Sequence, residues 1–405
     1  MVAILGYSRE QIFEAVKGMY TAVADTPNAH FHFPVGDSAC RLLGYPPQQL
    51  KPLEAALTES FAGVGYPFHA EVIGHGDTVL DIGAGAGVDS LIAGRLVGAE
   101  GRVIALDLTP AMTRKLHGTV QKAGIDNVAV VQGSAEALPL VDASVDVITS
   151  NGALNLVPDK RRAVAEMFRV LRPGGKLQIA DVVINRPVTV DCDDDPRLWV
   201  ECVVGATVEE ELLAMFRDAG FEDIRIVRRC DYFAHSPSRQ TREVAASFGA
   251  RSIEVAMRRG PQAPSRLWQV VRRLDPRRWV AALWRRGFMG LAGLGLALLA
   301  CYGTLAAVGL LAVLGFGLAL DETLWAGVIV AFTLITVALI VPGVRRHRAY
   351  TPTLLAIAGG GAVVYTMLID YRFAVELTGF MILAGAVGWD LYLHRRKQKR
   401  VLGLV

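Results

Sequence analysis

Val79-Leu80-Asp81-Ile82-Gly83-Ala84-Gly85-Ala86-Gly87 decides how the first half of this chain is read. An apolar run interrupted by the carboxylate of Asp81 leads into a glycine-rich turn, and Asp107 closes the next apolar run, Val103-Ile104-Ala105-Leu106. A strand, a tight turn opening a helix, and a carboxylate ending the following strand together form a pocket for a ribose and the groups attached to it. Glycine is needed in the turn because a side chain would hold the backbone away from the ligand. The turn is Gly-x-Gly-x-Gly, without the third glycine of the dinucleotide fingerprint. The competing reading is that Asp81 and Asp107 only cap turns and that the glycines only permit them.

The segments that follow bear on this choice. Gly133-Ser134-Ala135-Glu136-Ala137-Leu138-Pro139 ends a third strand, Val145 to Asn151 forms a fourth, and Leu171-Arg172-Pro173-Gly174-Gly175 precedes a fifth, Lys176 to Val183. Their order from about Gly76 to Val183 resembles the seven-stranded S-adenosylmethionine-dependent methyltransferases. The resemblance implies an α/β fold: a seven-stranded, mostly parallel, Rossmann-like sheet with helices on both faces. It also implies roles for residues around the methyl donor S-adenosylmethionine. Asp81, Gly83, Gly85 and Gly87 would shape the pocket against the methionine part, Asp107 with Leu108 beside it would hold the ribose, and Ala135 and Glu136 would border the adenine. Asn151, at a strand's carboxyl end, would face the methionyl group or the acceptor as a catalytic residue.

Between about Leu42 and Met257 the chain resembles the arsenite methyltransferases. The segments that carry this are Leu43-Gly44-Tyr45-Pro46, Asp107 to Met112, Ser150 to Lys160, and Glu201-Cys202-Val203-Val204-Gly205-Ala206. That family holds trivalent arsenic with three cysteines. Cys202 matches one of them, as catalytic and metalloid-binding thiol. The second position is Val64 here and the third falls near Gly249. Cys230, or Cys192, could join Cys202 only if the fold brings them together, and as thiolates. Arsenic's lone pair needs no base. A carbon or oxygen acid would need one, for which His30, His32, Glu59 and His69 are available. Tyr66 or Phe68 either pack on the sulfonium or belong to the core.

Helical spacing predicts two scaffold helices. One carries Val164, Met167, Phe168 and Leu171 and is stopped by Arg172 to Gly175; the other is capped by Thr207 with Glu210 and ended by Gly220. Met1 to His75 reads as a helical lid over the pocket, with turns at Gly36-Asp37 and Tyr45-Pro46-Pro47.

Charge divides the chain. Residues 258–405 hold 18 Lys plus Arg against 6 Asp plus Glu, while residues 1–257 hold 24 against 33. The basic half contains four apolar runs, Phe288 to Leu320, Thr323 to Val344, Thr351 to Ile369 and Phe373 to Trp389, with Glu376 as their single acid. Runs of this length span bilayers. Basic clusters at Arg285-Arg286, Arg345 to Arg348 and His394 to Lys397 alternate with Asp321-Glu322 and Asp370-Tyr371-Arg372, which predicts four crossings of the inner or plasma membrane with the catalytic half cytoplasmic. The first run, about 50 Å as a helix against a core of about 30 Å, must tilt, bend or break. Arg258 to Arg286, with four Arg-Arg pairs and Trp268, Trp279 and Trp284, reads as a juxtamembrane amphipathic segment. A nucleic-acid partner is the poorer reading of these arginines, and none is expected, because no reading helix or stacking platform accompanies them. The expected division is lid 1–75, methyltransferase domain 76–257, linker 258–287 and an all-α transmembrane domain 288–405.

Five cysteines without Cys-x-x-Cys spacing fit a reducing compartment. The membrane half resembles small four-helix mercury-resistance membrane proteins, chiefly in the Cys301 helix and Gly388-Trp389-Asp390; Cys301 stands alone where those proteins use pairs, so an anchor is the simpler reading. Three functions follow: arsenite methylation, methylation of a lipid, quinone or other hydrophobic molecule, and metal or metalloid carriage without turnover.

Overall fold

The computed structural model describes residues 8–187, 203, 205–262, 276, 280, 283, 288–303, 322–344 and 348–401. Two compact units meet in the chain at Arg272–Arg273.

In the first unit, four helices open the chain: α1 (Arg9–Asp25), α2 (Asp37–Leu43), α3 (Pro47–Leu50) and α4 (Ala55–Glu59). Ser8 caps α1 through a reciprocal box with Gln11, and Gly36, at φ +84°, turns the chain into α2. Strands and helices then alternate as β1 (Thr78–Ile82), α5 (Val88–Val97), β2 (Arg102–Asp107), α6 (Pro110–Lys122), β3 (Val128–Gln132), β4 (Val145–Asn151), α7 (Lys160–Val170) and β5 (Leu171–Ile184). The unit closes with β6 (Thr207–Val208), α8 (Glu209–Ala219), β7 (Phe221–Cys230), α9 (Arg239–Phe248) and β8 (Arg251–Arg259).

The sheet order is β3-β2-β1-β4-β5-β8-β7, with the two-residue β6 beside β5. Pairs from β3 through β5 are parallel, and β8 is antiparallel to both β5 and β7. This is the expected mostly parallel seven-stranded sheet with one short addition. Central parallel strands lie under helices and read as apolar runs for that reason. Leu80, Ile148, Leu177 and Ile253 from the sheet pack with Val164, Met167 and Phe168 of α7 and Phe216 of α8.

Two local expectations need correction. Arg172 to Gly175 do not precede β5 but lie within it, since Leu171 already pairs with Val145 and a register shift follows. The box between Thr207 and Glu210 does not form: Thr207 sits in β6, and the residue before α8 is Val208, with no side-chain cap. A strand hydrogen bond has displaced the local cap. Gly220 ends α8 in the left-handed conformation, as expected.

The second unit contains α10 (Met289–Leu298), continued by a π-helical turn Leu299–Gly303, then α11 (Glu322–Ile340), α12 (Thr351–Leu368) and α13 (Phe373–Val401). Among the described residues three helices are long and apolar enough to cross a membrane: Ala326–Val344, Thr351–Leu368 and Phe373–Lys397, with mean hydropathies of 2.5, 1.4 and 1.4. The first expected crossing is described only as the shorter apolar helix Met289–Tyr302. Its remainder, and most of the basic linker, lie outside the described residues. Glycines set the helix separations. A Cβ on Gly359 would come within 2.8 Å of the Gly379 carbonyl, and one on Gly293 within 2.7 Å of Thr336 Oγ1. Glu376, the single acid of the apolar runs, is buried and accepts a hydrogen bond from Cys301 Sγ at 2.8 Å.

Candidate functional site

A cleft opens in the first unit at the carboxyl ends of β1, β2 and β4, where ligands of open α/β sheets collect. It encloses about 940 Å³, counting its open mouth.

The floor is the glycine turn. Gly83, Gly85 and Gly87 line the cleft with φ of +76°, +55° and +98°, a region that favours glycine. A Cβ at Gly83 would run into Ala153, and one at Gly87 into Leu116, whereas Gly85 faces open space. The turn is sewn to β2 by Gly83 and Ala84, whose N–H groups donate to the Leu106 carbonyl.

Asp107 ends β2 on the cleft wall, with Leu108 beside it. Gly85 N–H donates to one of its oxygens at 2.8 Å and Thr109 N–H to the other at 2.7 Å. A carboxylate has about four acceptor sites. The wall residue stays partly open, so a ribose diol can approach it. Burial pushes the Asp107 carboxyl above its ordinary pKa, and these backbone donors pull it back. Cradle and carboxylate therefore fit S-adenosylmethionine.

Asp81 has a different place. It is 1% exposed, accepts Ser90 Oγ at 2.6 Å and Thr149 Oγ1 at 2.9 Å, and is absent from the cleft wall. It ties β1 to α5 and β4. Ala135 lines the cleft with Gly133 and Ser134, but Glu136 does not. Glu136 is wholly buried, accepts the Asp159 N–H at 2.8 Å and pairs with Arg9 of α1. No local pattern around Glu136 points to so distant a partner.

Asn151 reaches the cleft, yet its amide is committed. Its Oδ1 accepts the N–H groups of Val64 and Gly65 at 2.8 and 3.1 Å. Its Nδ2 lies 2.8 Å from the Gly65 carbonyl, 2.9 Å from Asp89 Oδ2 and 3.0 Å from the Tyr45 hydroxyl. Asn151 thus positions the segment ahead of β1. Tyr66 and Phe68 in that segment are core aromatics: Tyr66 packs against Tyr45, Phe68 and His69 and donates to Gln49 at 2.8 Å, and neither lines the cleft. None of His30, His32, Glu59 and His69 lines it either; His69 pairs with Glu254 at 2.5 Å.

Two wall features escaped the sequence reading. Phe13, Val16 and Tyr20 of α1 roof the cleft, and Asp89 stands at the first turn of α5. The spacing of Phe13, Val16 and Tyr20 on one helical stripe was the available signal. Lys115 Nζ holds the end of α1 by donating to the Ala24 carbonyl at 2.9 Å and to Ser60 Oγ at 2.7 Å.

Cys202 and Cys192 lie outside the described residues. Cys230 ends β7 opposite Ser252 and is not on the cleft wall, and burial raises its thiol pKa. Among the described residues no three His, Cys, Asp or Glu side chains gather to hold a metal, so Cys230 has no such company there. Val64 is buried, and a Cβ on Gly249 would come within 2.6 Å of Asn185 Nδ2.

Comparison with known proteins agrees with this geometry. A methyltransferase-domain family matches residues 73–220, and the MerC mercury resistance protein family matches residues 288–392. An arsenite methyltransferase of Halobacterium salinarum is 42% identical over 164 residues, covering 40% of this chain and 42% of that one. A ubiquinone/menaquinone biosynthesis C-methyltransferase of Klebsiella pneumoniae is 34% identical over 170 residues, covering 37% of this chain and 68% of that one. Among solved structures, an arsenic(III) S-adenosylmethionine methyltransferase from Chlamydomonas reinhardtii is 30% identical with a TM-score of 0.44, covering 57% of this chain and 76% of that one. The chain spans about half the length of the arsenite methyltransferases it matches. The chain belongs to the S-adenosylmethionine-dependent methyltransferases. Its methyltransferase domain is close to the arsenite methyltransferases, and MerC-like membrane helices follow it.

Proposed function

We propose that this chain is a membrane-tethered arsenite methyltransferase whose catalytic unit faces the cytoplasm. The observation that carries the reading is the 42% identity to an arsenite methyltransferase over 164 residues. The donor supplies a methyl group on a sulfonium sulfur, and the acceptor's lone pair takes it in line as the sulfur keeps the bonding electrons. Asp107 and the Gly83–Gly87 turn hold the donor, α1 and the Phe61–Gly63 segment keep water out, and Cys202 binds arsenic. The alternation of basic and acidic loops supports the orientation. The division into lid 1–75, catalytic domain 76–257, linker 258–287 and membrane domain 288–405 belongs to the same proposal.

A second acceptor class has an observation in its favour. Val64 and Gly249 carry no thiol where the arsenite family has two, and the quinone-biosynthesis relative is matched over 68% of its length. A lipid, quinone or other hydrophobic acceptor would arrive directly from the bilayer. The full chain, given radiolabelled donor and glutathione with arsenite or membrane extract, separates the two. Arsenite-dependent transfer lost in Cys202→Ser supports the first reading, and label passing only to extract components overturns it.

A further inference from the structure

Two charged side chains stand on the described cleft wall, Asp107 and Asp89, on either side of the glycine turn. Asp107 is accounted for by the ribose. Asp89 is used by nothing so far derived, although a buried carboxyl is costly to keep without a purpose.

Its setting is unusual. Asp89 is 6% exposed and accepts the Tyr45 hydroxyl at 2.5 Å and Asn151 Nδ2 at 2.9 Å, one on each oxygen. The groups facing it are the hydroxyls of Tyr45 and Tyr66, the Cys40 thiol of α2, the Asn151 amide and the carboxyl of Asp81 on β1. All are neutral or acidic. Burial and the Asp81 charge hold the Asp89 carboxyl well above the usual carboxylate range, and the two hydrogen bonds only partly offset them. Among the described residues, none of the groups set against Asp89 carries a positive charge.

The donor carries what is missing. With its ribose at Asp107 and its chain along Gly83 to Gly87, the donor would bring its methionyl end, which bears an ammonium and a sulfonium, toward Asn151 and Asp89 on the same cleft wall. We infer that Asp89 is the counter-ion for the cationic methionyl end of the donor, and that donor binding drives the proton from Asp89 to the solvent. A cation brought against a buried carboxyl favours its ionised form, so binding and proton release are linked. The same carboxylate grips Tyr45 and Asn151 more firmly once ionised. Donor binding thereby tightens Asn151, which holds Val64 and Gly65 ahead of β1.

The inference rests on the cofactor and not on the identity of the acceptor. Its test is calorimetry on the full chain in detergent, near pH 7, in buffers of differing ionisation enthalpy. Two ligands are compared: S-adenosylmethionine, and 5′-methylthioadenosine, which keeps the nucleoside but lacks the ammonium and the sulfonium charge. For the wild-type chain, proton release is expected with the first ligand and not with the second. Asp89→Asn should abolish the release and weaken S-adenosylmethionine roughly tenfold or more, while changing 5′-methylthioadenosine by less than about twofold. Buffer-independent heat in the wild type overturns the inference, as does equal weakening of both ligands or of neither. Should Asp89→Asn fail to fold, Tyr45→Phe removes one hydrogen bond and keeps the charge. The pH midpoint of donor binding should then move upward, and an unmoved midpoint overturns the inference. If neither ligand binds the wild-type chain, the cofactor assignment falls and this inference falls with it.

Discussion

Asn151 Oδ1 accepts the backbone N–H of Val64 at 2.8 Å across 87 residues of chain, which fixes the segment ahead of β1 to the end of β4. Because the same side chain also meets Gly65, Asp89 and Tyr45, its loss leaves several polar groups without partners at once. Asn151→Ala should cost roughly 1–3 kcal/mol of stability. Hydrogen exchange at Val64 and Gly65 should accelerate, and methyl transfer should fall at least tenfold as the cleft opens to water. Unchanged exchange at those two amides would count against the anchoring role.

Two glycines of one turn should respond differently. Gly87, at φ +98°, has Leu116 in the way of any Cβ, so Gly87→Ala should destabilise the unit by about 1–3 kcal/mol. Gly85, at φ +55°, has open space on the cleft side, so Gly85→Ala should cost about 1 kcal/mol and weaken the donor more than the fold. Thermal melts with and without donor separate the two effects.

Asp181 of β5 is 1% exposed, and burial pushes its carboxyl up to about 7. A group with a higher pKa folded than unfolded binds its proton more tightly in the native state, so its contribution falls as pH rises from about 4 to about 7. Lys160, pushed down by burial to about 8, titrates above that window. Asp181→Asn should flatten the pH dependence of the melting temperature between 4 and 7 and raise stability at pH 7.5 by roughly 1–3 kcal/mol. A melting profile parallel to wild type across that range would refute the assignment.

Arg9 of α1 pairs with Glu136, which is wholly buried while the guanidinium is 41% exposed. The exposure reduces the value of the pair, but Arg9→Ala still strands a buried carboxyl. The amides of α1 should exchange faster and donor affinity should fall several-fold, because Phe13, Val16 and Tyr20 leave the roof with the helix. Equal donor affinity in Arg9→Ala and wild type would show that α1 closes the cleft without this tie.

In the membrane unit, Cys301 is 2% exposed and donates to Glu376 Oε1 at 2.8 Å. Cys301 should resist maleimide in the folded protein in mild detergent and react after unfolding in dodecyl sulfate. Cys301→Ser keeps a donor and should melt near wild type, whereas Cys301→Ala should lose about 1–3 kcal/mol. Rapid labelling of the folded chain would contradict the buried pair.

Much of the sheet was legible because its signals are local. Val79 to Gly87 and the carboxylate of Asp107 announce a strand, a turn and a strand end within thirty residues, and backbone sterics at positive φ leave little choice but glycine. Gly220 closes its helix for the same reason. The cap at Thr207 was misread because a hydroxyl followed three residues later by a carboxylate is only a permissive pattern, and pairing of Thr207 with Val183 in β5 overrides it. Arg172 to Gly175 were misread for a similar reason: a Pro-Gly pair suggests a break, yet a register shift lets the strand continue through it. Cys230 could not be placed from sequence, since whether thiols meet depends on strand order and on which face of the sheet each one joins.

Taken alone, the sequence determined the methyl-donor fold and the membrane-spanning character of the second half, because periodicity, glycine turns and apolar runs act over a few residues and need no distant partner. Only the tertiary structure decided which acids serve as cleft wall and which as internal ties. Asp81 and Glu136 look like ligand contacts in sequence but are consumed by Ser90, Thr149, Asp159 and Arg9, while Asp89 is left on the wall. A carboxylate's role depends on the donors and charges that folding brings to it, and those come from elements far away along the chain.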